Sequence, residues 1–323
     1  MNCMVRNFIF HRVVPVVSDS SLEMSVQLFD KCIQFINRRY QVIGVEDILQ
    51  ANRLPVGGKP FASLTFDDGY ACNIQYAAPI LHKYHCRASF YVVTNCVDQN
   101  IPIWGYLLEH LLMHTQKSSI QISDQHLPKH LKLHNIPANP AQRILYIKKL
   151  KAWLISIAVA IKETVFNEIC GQITDVEIPR MMMNWNDLAA LRSEGHYIGS
   201  HTHTHNALTG IDNDVELKKE LVMPREIIQQ KLGYLPVSIA YPFGFNNARV
   251  RQMTAESGYQ MGIASERHQL YYQHKHDFFE IPRIALSNEP WYKTRMRITN
   301  RIEEIKNILP RGIIKFSKQT GFW

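Results

Sequence analysis

Two kinds of hydrophobic pattern alternate along most of this chain. Short apolar runs rich in β-branched residues occur at 8–17 (FIFHRVVPVV), 62–66, 88–94 (ASFYVVT), 237–240 and 259–264, and each reads as a strand. Between them apolar residues recur at helical spacing: Leu28, Cys32, Phe35 and Ile36 within 25–39, then the stretches 73–84, 185–193, 217–232 and 248–256. Asn184 is placed to cap the helix that starts at Trp185, with Gly195 past its end, and Pro224 predicts a kink or restart inside 217–232. A further strand through Tyr197, Ile198 and Gly199 leads into a run of histidines. Repeated βα units predict a parallel sheet or barrel. From about 97 to 180 the pattern changes to longer helical segments, notably 141–169, separated by the polar, proline-containing stretch 124–140. This part reads as a helical insertion. Its histidines, His110, His114, His126, His130 and His134, have no carboxylate partner at a metal-binding spacing and read as solvated or structural.

Composition narrows the class. The 323 residues, 46% hydrophobic and 20% charged, exclude a disordered, collagen-like or coiled-coil chain, and the length fits one α/β barrel or two small domains. With the βα pattern running through most of the sequence, a single domain over 1–323 is expected. The net charge of +8 admits nucleic acid, an anionic membrane surface or an anionic substrate, and much of it lies in a basic tail over 293–323. That tail holds eight Lys and Arg against Glu303 and Glu304, interspersed with apolar residues such as Ile298, Ile302, Ile305, Phe316 and Trp323. It suits peripheral contact with an anionic bilayer, or a solvated helix packed on the barrel. The six cysteines form no C-x-x-C pair, which argues against a thiolate zinc site or a disulfide framework. The start of the sequence turns polar too soon for a secretory signal, and no stretch reaches the roughly 20 apolar residues of a membrane span. A cytoplasmic protein, working at the inner face of the membrane if the tail binds there, is the expectation.

Four segments carry the chemistry. Thr65-Phe66-Asp67-Asp68-Gly69 sets two adjacent acids at the carboxyl end of an apolar run, where parallel α/β folds place their active-site loops. Neighbours on extended backbone point apart, so one carboxylate can hold a cation while the other faces a reacting water; a polar turn is the plainer alternative. Ser200-His201-Thr202-His203-Thr204-His205 follows another predicted strand, with His201 and His205 on one face if the segment turns helically and His203 pointing away. Two imidazoles and one carboxylate leave open positions on a divalent ion, as catalysis requires. In Ala240-Tyr241-Pro242-Phe243-Gly244 the proline and glycine fix a bend that can aim an amide N–H into a cleft. In Ile281-Pro282-Arg283-Ile284 an arginine interrupts an apolar strand and calls for a carboxylate partner.

These motifs, in this order, resemble those of the polysaccharide deacetylases, the NodB-homology family also called carbohydrate esterase family four. The first two signatures are similar to T-F-D-D-G and H-T-x-x-H, and 184–205 (NWNDLAALRSEGHYIGSHTHTH) resembles the helix and strand leading into the family's metal site. The resemblance implies a distorted (β/α) barrel with fewer than eight strands and metal-dependent hydrolysis of N-acetyl groups on amino sugars. It makes Asp68, His201 and His205 ligands of a divalent ion, expected to be Zn2+, and Asp67 the base that activates water. The Phe243 N–H would hold the oxyanion. The 241–244 segment lacks the arginine often found in the family's third motif, and Arg283 is expected to replace it in orienting Asp67. No Leu-x-His follows Arg283 to supply the usual general acid, so His11, in a first strand resembling the Tyr-His start of some members, is the candidate; His268, His274 and His276 lie in a polar connection. The expected partner is an N-acetylated sugar, nucleotide- or lipid-linked, and not nucleic acid. The competing readings are a catalytically inactive carbohydrate-binding relative and an iron-dependent oxygenase built on the Asp/His/His set.

Overall fold

The computed structural model describes residues 4–18, 22–53, 58–123, 134–265, 272–273 and 277–300. His126, His130, His268, His274, His276 and the tail beyond residue 300 lie outside the described residues. The first part of the chain forms β1 (Met4–Phe10), β2 (Arg12–Val14), β3 (Glu23–Ser25), α1 (Val26–Arg39), β4 (Gln41–Ile43), β5 (Phe61–Phe66), α2 (Ala78–Lys83) and β6 (Ser89–Val92). Four helices follow, α3 (Thr94–Gln99), α4 (Trp104–His114), α5 (Pro140–Ser156) and α6 (Val159–Gln172). The alternation then resumes with α7 (Trp185–Ser193), β7 (Tyr197–Ser200), α8 (Asp214–Leu232), β8 (Ser238–Ala240), α9 (Ala248–Glu256) and β9 (Met261–Ile263). It ends with β10 (Tyr272–Gln273), β11 (Ile284–Ala285) and α10 (Trp291–Ile298).

The central sheet runs β10-β1-β5-β6-β7-β8-β9, parallel except at β10, with β4 paired to β5 and β11 to β1. Its two ends meet through the segment before β11: Ile281 bridges in parallel to Ile263 of β9, and Ile284 pairs with Phe8 of β1. The result is a curled sheet wrapped by helices: the alternating pattern predicts its parallel strands, and the resemblance implies the distorted (β/α) barrel that they form.

Strand β5 explains the layering. All six of its residues are buried, yet alternate ones face different surroundings. Ala62, Leu64 and Phe66 join the apolar layer against the helices, where the Phe66 ring lies between Phe10 and Phe90 at centroid distances of 5.3 and 4.7 Å. Ser63 and Thr65 face a polar interior: Ser63 donates to Asn7 Oδ1 (2.7 Å), and Asn7 donates to the Pro282 carbonyl (3.0 Å). Glu46, just after β4, accepts bonds there from Ser89 (2.6 Å), Tyr91 (2.7 Å) and Ser238 (2.7 Å). Burial pushes its carboxyl above the ordinary value, against those three hydrogen bonds. The interior hydrogen bonds fix the strands that carry the site.

Local chemistry set several boundaries where expected. Asn184 caps α7, as expected, in a capping box with Asp187; the expected helix over 25–39 begins one residue later, at Val26, with Ser25 as its cap. Three expectations change. The run 8–17 breaks at His11, because β1 ends level with β5 and the chain leaves the sheet to pair β2 with β3. The stretch 141–169 is two helices, α5 and α6, separated by Ile157 and Ala158, whose backbone is extended or non-helical. Pro224 neither breaks nor restarts α8. The missing donor costs one bond, and burial of Leu217, Leu221, Pro224 and Ile228 along the helix holds the axis. Helices α4, α5 and α6 share an apolar core of their own that includes Leu108, Leu150 and Val165.

Gly199 of β7 tests the interior packing. A Cβ there would lie 2.4 Å from the buried Tyr91 ring, whose hydroxyl is held by Glu46 (2.7 Å) and Ser238 (3.1 Å). Gly199→Ala is therefore expected to lower stability by about 2–3 kcal/mol, read from urea denaturation; an unchanged midpoint would contradict this close approach.

Candidate active site

The carboxyl ends of β1, β5, β7 and β8 gather the residues that the motifs single out. Asp67 and Asp68 follow β5 directly, and the chain turns there with Asp68 at φ 75° and Gly69 at φ 91°. Thr202 (φ 67°), His205 (φ 60°) and Phe243 (φ 61°) also occupy the left-handed region, which costs a non-glycine residue about 1–2 kcal/mol. Such strain persists where surrounding bonds over-determine the backbone. Thr202 Oγ1 accepts from His205 N (3.1 Å), Ser200 Oγ accepts from Thr202 N (3.2 Å), and Glu220 of α8 accepts from the backbone of His203 and Thr204 (3.0 Å each) and from the Thr204 hydroxyl (2.7 Å). The His201 to His205 segment is thus an irregular loop, so the two histidines do not share a face by way of a helical turn.

That loop brings both imidazoles onto one carboxylate. His205 Nε2 lies 3.3 Å and His201 Nε2 3.5 Å from Asp68 Oδ1. His201 Nδ1 is 2.8 Å from the Ala240 carbonyl. A carbonyl only accepts, so Nδ1 carries a proton, and in the neutral ring it is the Nε2 lone pair that faces Asp68 and Asp67. Both Asp68 oxygens are buried without a hydrogen-bond partner, since the two imidazole contacts lie at the long edge of that range. Lone pairs facing one another in a dry site need a cation between them, and one ligand atom from each of Asp68, His201 and His205 can be chosen with all three within 4.8 Å of one another. The donor set, two imidazoles and a carboxylate, fits a divalent metal with positions left open.

Asp67 is held differently. Arg283 grips both its oxygens, Nη1 to Oδ1 at 2.6 Å and Nη2 to Oδ2 at 2.7 Å, while its Nε donates to the Ala264 carbonyl (3.0 Å) and Nη1 also reaches Thr65 Oγ1 (3.2 Å). Burial alone would raise the Asp67 carboxyl, but the Arg283 guanidinium, with His201 and His11, holds it below the ordinary value. At Asp68, burial is likewise outweighed by the close imidazoles of His201 and His205, and the carboxyl sits far below the ordinary value. Opposite pulls separate the histidines: burial lowers both, yet Asp67 and Asp68 raise His201 overall, while His205 stays lowered.

His11 directly follows β1 at the same end of the sheet, half-buried. Burial lowers its imidazole below the ordinary value against the charges of Asp68 and Asp67. The Phe243 ring packs edge-on to His205 at 4.9 Å. His203 points away, its Nδ1 2.9 Å from Thr94 Oγ1. Of the other histidines, His110 contacts the Glu177 carbonyl (3.0 Å) and stacks with His114.

The chain folded into this geometry matches the family model described as polysaccharide deacetylase over residues 56–262, more than half its length. The chain belongs to the polysaccharide deacetylase family. A search of curated proteins finds no match. Among solved structures, the fold is similar to the Streptococcus pyogenes deacetylase PplD in complex with acetate, with a TM-score of 0.60 at 16% identity over 94% of this chain and 98% of that one. The de-N-acetylase from Aggregatibacter actinomycetemcomitans gives 0.57 at 16% identity over 91% and 99%, and IcaB from Ammonifex degensii 0.56 at 15% over 91% and 96%. A parallel sheet wrapped by helices is also not the double-stranded β fold of the iron oxygenases. Deacetylases of this family use a divalent metal, and Asp68, His201 and His205 form a candidate site for it here.

Several supporting groups gave no sequence signal, because each acts across a long chain separation. Lys162 of α6 is buried, with its ammonium bonded to Asn206 beside His205 and 4.9 Å from the Trp104 ring centre. Burial lowers it to about 8, against Glu163 and Glu220. Trp104 Nε1 donates to the His205 carbonyl (3.1 Å).

The Arg283–Asp67 pair carries a testable energetic consequence. Arg283→Met leaves a buried carboxylate uncompensated and is expected to cost about 3–5 kcal/mol, whereas Arg283→Met with Asp67→Asn recovers most of that loss. Chemical denaturation of the two variants checks it, and equal destabilisation of both would mean that the pairing does not set the cost.

Proposed function

We propose that this protein is a metal-dependent N-deacetylase that removes the acetyl group from an amino sugar within a glycan or glycan precursor. The observation that carries the reading is the pairing of two differently held acids: Asp68 faces the lone pairs of His201 and His205, while Asp67, beside it, is clamped by Arg283. A divalent cation, with Zn2+ the ion expected for this donor set, supplies Lewis acidity and lowers the pKa of water.

The chain's own groups then divide the work. Arg283 fixes the plane of the Asp67 carboxylate and keeps it ionised, so that it takes the proton of the attacking water. The Phe243 N–H, presented by a left-handed turn at the rim, receives the developing oxyanion. His11 gives a proton to the departing amine nitrogen. Retention of Asp67, Asp68, His201 and His205 together supports catalysis over sugar binding alone. The same reading extends to a cytoplasmic step in cell-surface glycan biosynthesis on a nucleotide- or lipid-linked sugar, with the basic tail over 293–323 as a peripheral membrane contact.

Ligand and base are separable by experiment. His201→Ala and His205→Ala are each expected to abolish divalent-ion binding and acetate release, whereas Asp67→Asn abolishes acetate release and retains the ion. Elemental analysis with mass spectrometry of a panel of acetylated amino sugars, free, nucleotide-linked and lipid-linked, reads both. A full metal complement in both histidine variants would sink the assignment.

His11→Gln is expected to lower kcat by about 10²-fold with metal content intact. An acid works while protonated, and the His11 imidazole is lowered from its ordinary value. Activity should therefore fall as pH rises through that value, and the variant should lose this alkaline limb. Near-normal kcat with both limbs kept would place the proton source elsewhere.

A further inference from the structure

Outside the catalytic centre, helices α1 and α10 pack against each other on the outer layer of the barrel and enclose a surface groove of about 360 Å³ lined by Lys31, Gln34, Phe35, Arg38 and Trp291. Phe35 is its floor. Trp291 meets that ring edge-on at 5.5 Å, and two guanidiniums, Arg39 and Arg295, lie over it at 5.7 and 5.6 Å. Lys293 stands 6.0 Å from the ring of its neighbour Tyr292, which is 62% exposed. Lys31, Arg38, Arg39 and Arg295 are exposed and Lys293 is half-buried. Among the described residues none of these five cations has a carboxylate within ion-pair distance, because the nearby acids are engaged elsewhere, Asp30 with Lys83 at 2.8 Å and Glu289 with Arg297 at 2.8 Å.

Five uncompensated cations around one aromatic groove repel one another until an anionic surface neutralises them. Lys31 and Arg38 alone are two helical turns apart, about 10 Å, so a single phosphate does not satisfy the set. The partner must present several anionic groups in a plane. Trp291 and Tyr292, each an apolar ring with a polar edge set among these cations, suit the headgroup level of a bilayer, where such side chains concentrate. We propose that the α1–α10 face docks on an anionic phospholipid bilayer, with the cations on lipid phosphates and Trp291 and Tyr292 at the headgroup level. This deepens the membrane contact proposed for the 293–323 tail, whose Lys293 and Arg295 lie on this face, and the deacetylase chemistry does not depend on it. The docking does not require the tail beyond residue 300.

The test uses the full chain with vesicles of phosphatidylglycerol and phosphatidylcholine, against vesicles of phosphatidylcholine alone, in a sedimentation assay at 0.1 M salt. The wild type is expected to bind only the anionic vesicles and to come off as salt rises. Lys31→Glu/Arg38→Glu/Arg295→Glu should weaken binding by about 10²-fold or more, since each lost cation near the surface is worth roughly fivefold. The charge-neutral set Lys31→Gln/Arg38→Gln/Arg295→Gln should weaken it by a comparable but smaller factor, and Tm and far-ultraviolet circular dichroism should match the wild type. Equal binding of either triple variant would overturn the proposal by assigning the contact to another part of the chain. So would a wild type indifferent to phosphatidylglycerol, or one that binds a duplex oligonucleotide more tightly than the vesicles at the same salt.

Discussion

A carboxylate gripped at both oxygens by a buried guanidinium organises the end of this barrel. Arg283 is 1% exposed and Asp67 2%, so neither charge has water to fall back on, and removal of one strands the other. The partners lie more than two hundred residues apart in sequence, one ending β5 and the other entering β11. Their ion pair therefore also ties the strand segment that closes the curl to the strand that carries the reacting acids. The guanidinium Nε donates to the Ala264 carbonyl just past β9. Three strands thus converge on one planar group whose five donors are fixed in direction.

Next to that rigid pair the chain accepts strain. Asp68, Thr202, His205 and Phe243 all hold left-handed backbone, and each departure turns a side chain or amide toward the same small volume. The loop bearing the histidines stays in this shape because groups from outside it supply hydrogen bonds: Glu220 from α8, Lys162 from α6 through Asn206, and Trp104 from α4. The helical insertion thus buttresses the histidine loop directly. Its apolar core continues to Phe243, whose ring covers His205, so the same helices wall one side of the site.

The interior of the barrel is polar below the site. Ser63, Asn7, Ser89, Tyr91, Ser238 and Glu46 satisfy one another in pairs and triples. A parallel sheet buried on both faces is ordinarily apolar on both. Here part of the inner face is given to hydrogen bonds, beside an apolar cluster that includes Val5, Phe61, Met261 and Ile281, while the outer face packs against the helices through Phe10, Phe29, Phe66 and Phe90.

The amino-acid sequence by itself determined the alternation of strands and helices, the cap at Asn184, and the identity of the acids and histidines at the ends of β5 and β7, because these depend on periodicity and on contacts between near neighbours. Arg283 was legible for the same reason, since a charge in an apolar strand demands a partner, and Asp67 was a reasonable one. The geometry of the site belongs to the tertiary structure. His201 and His205 would share a face in a helical turn, but hydrogen bonds from Thr202, Ser200 and the distant Glu220 made a strained loop instead. Continuity through Pro224 came from packing along α8, and the break at His11 from the length of β5. Lys162, Trp104, Asn206 and Glu46 left no pattern to read, since a lone residue gains its role only when strands and helices remote in sequence enclose it and burial makes its partner obligatory.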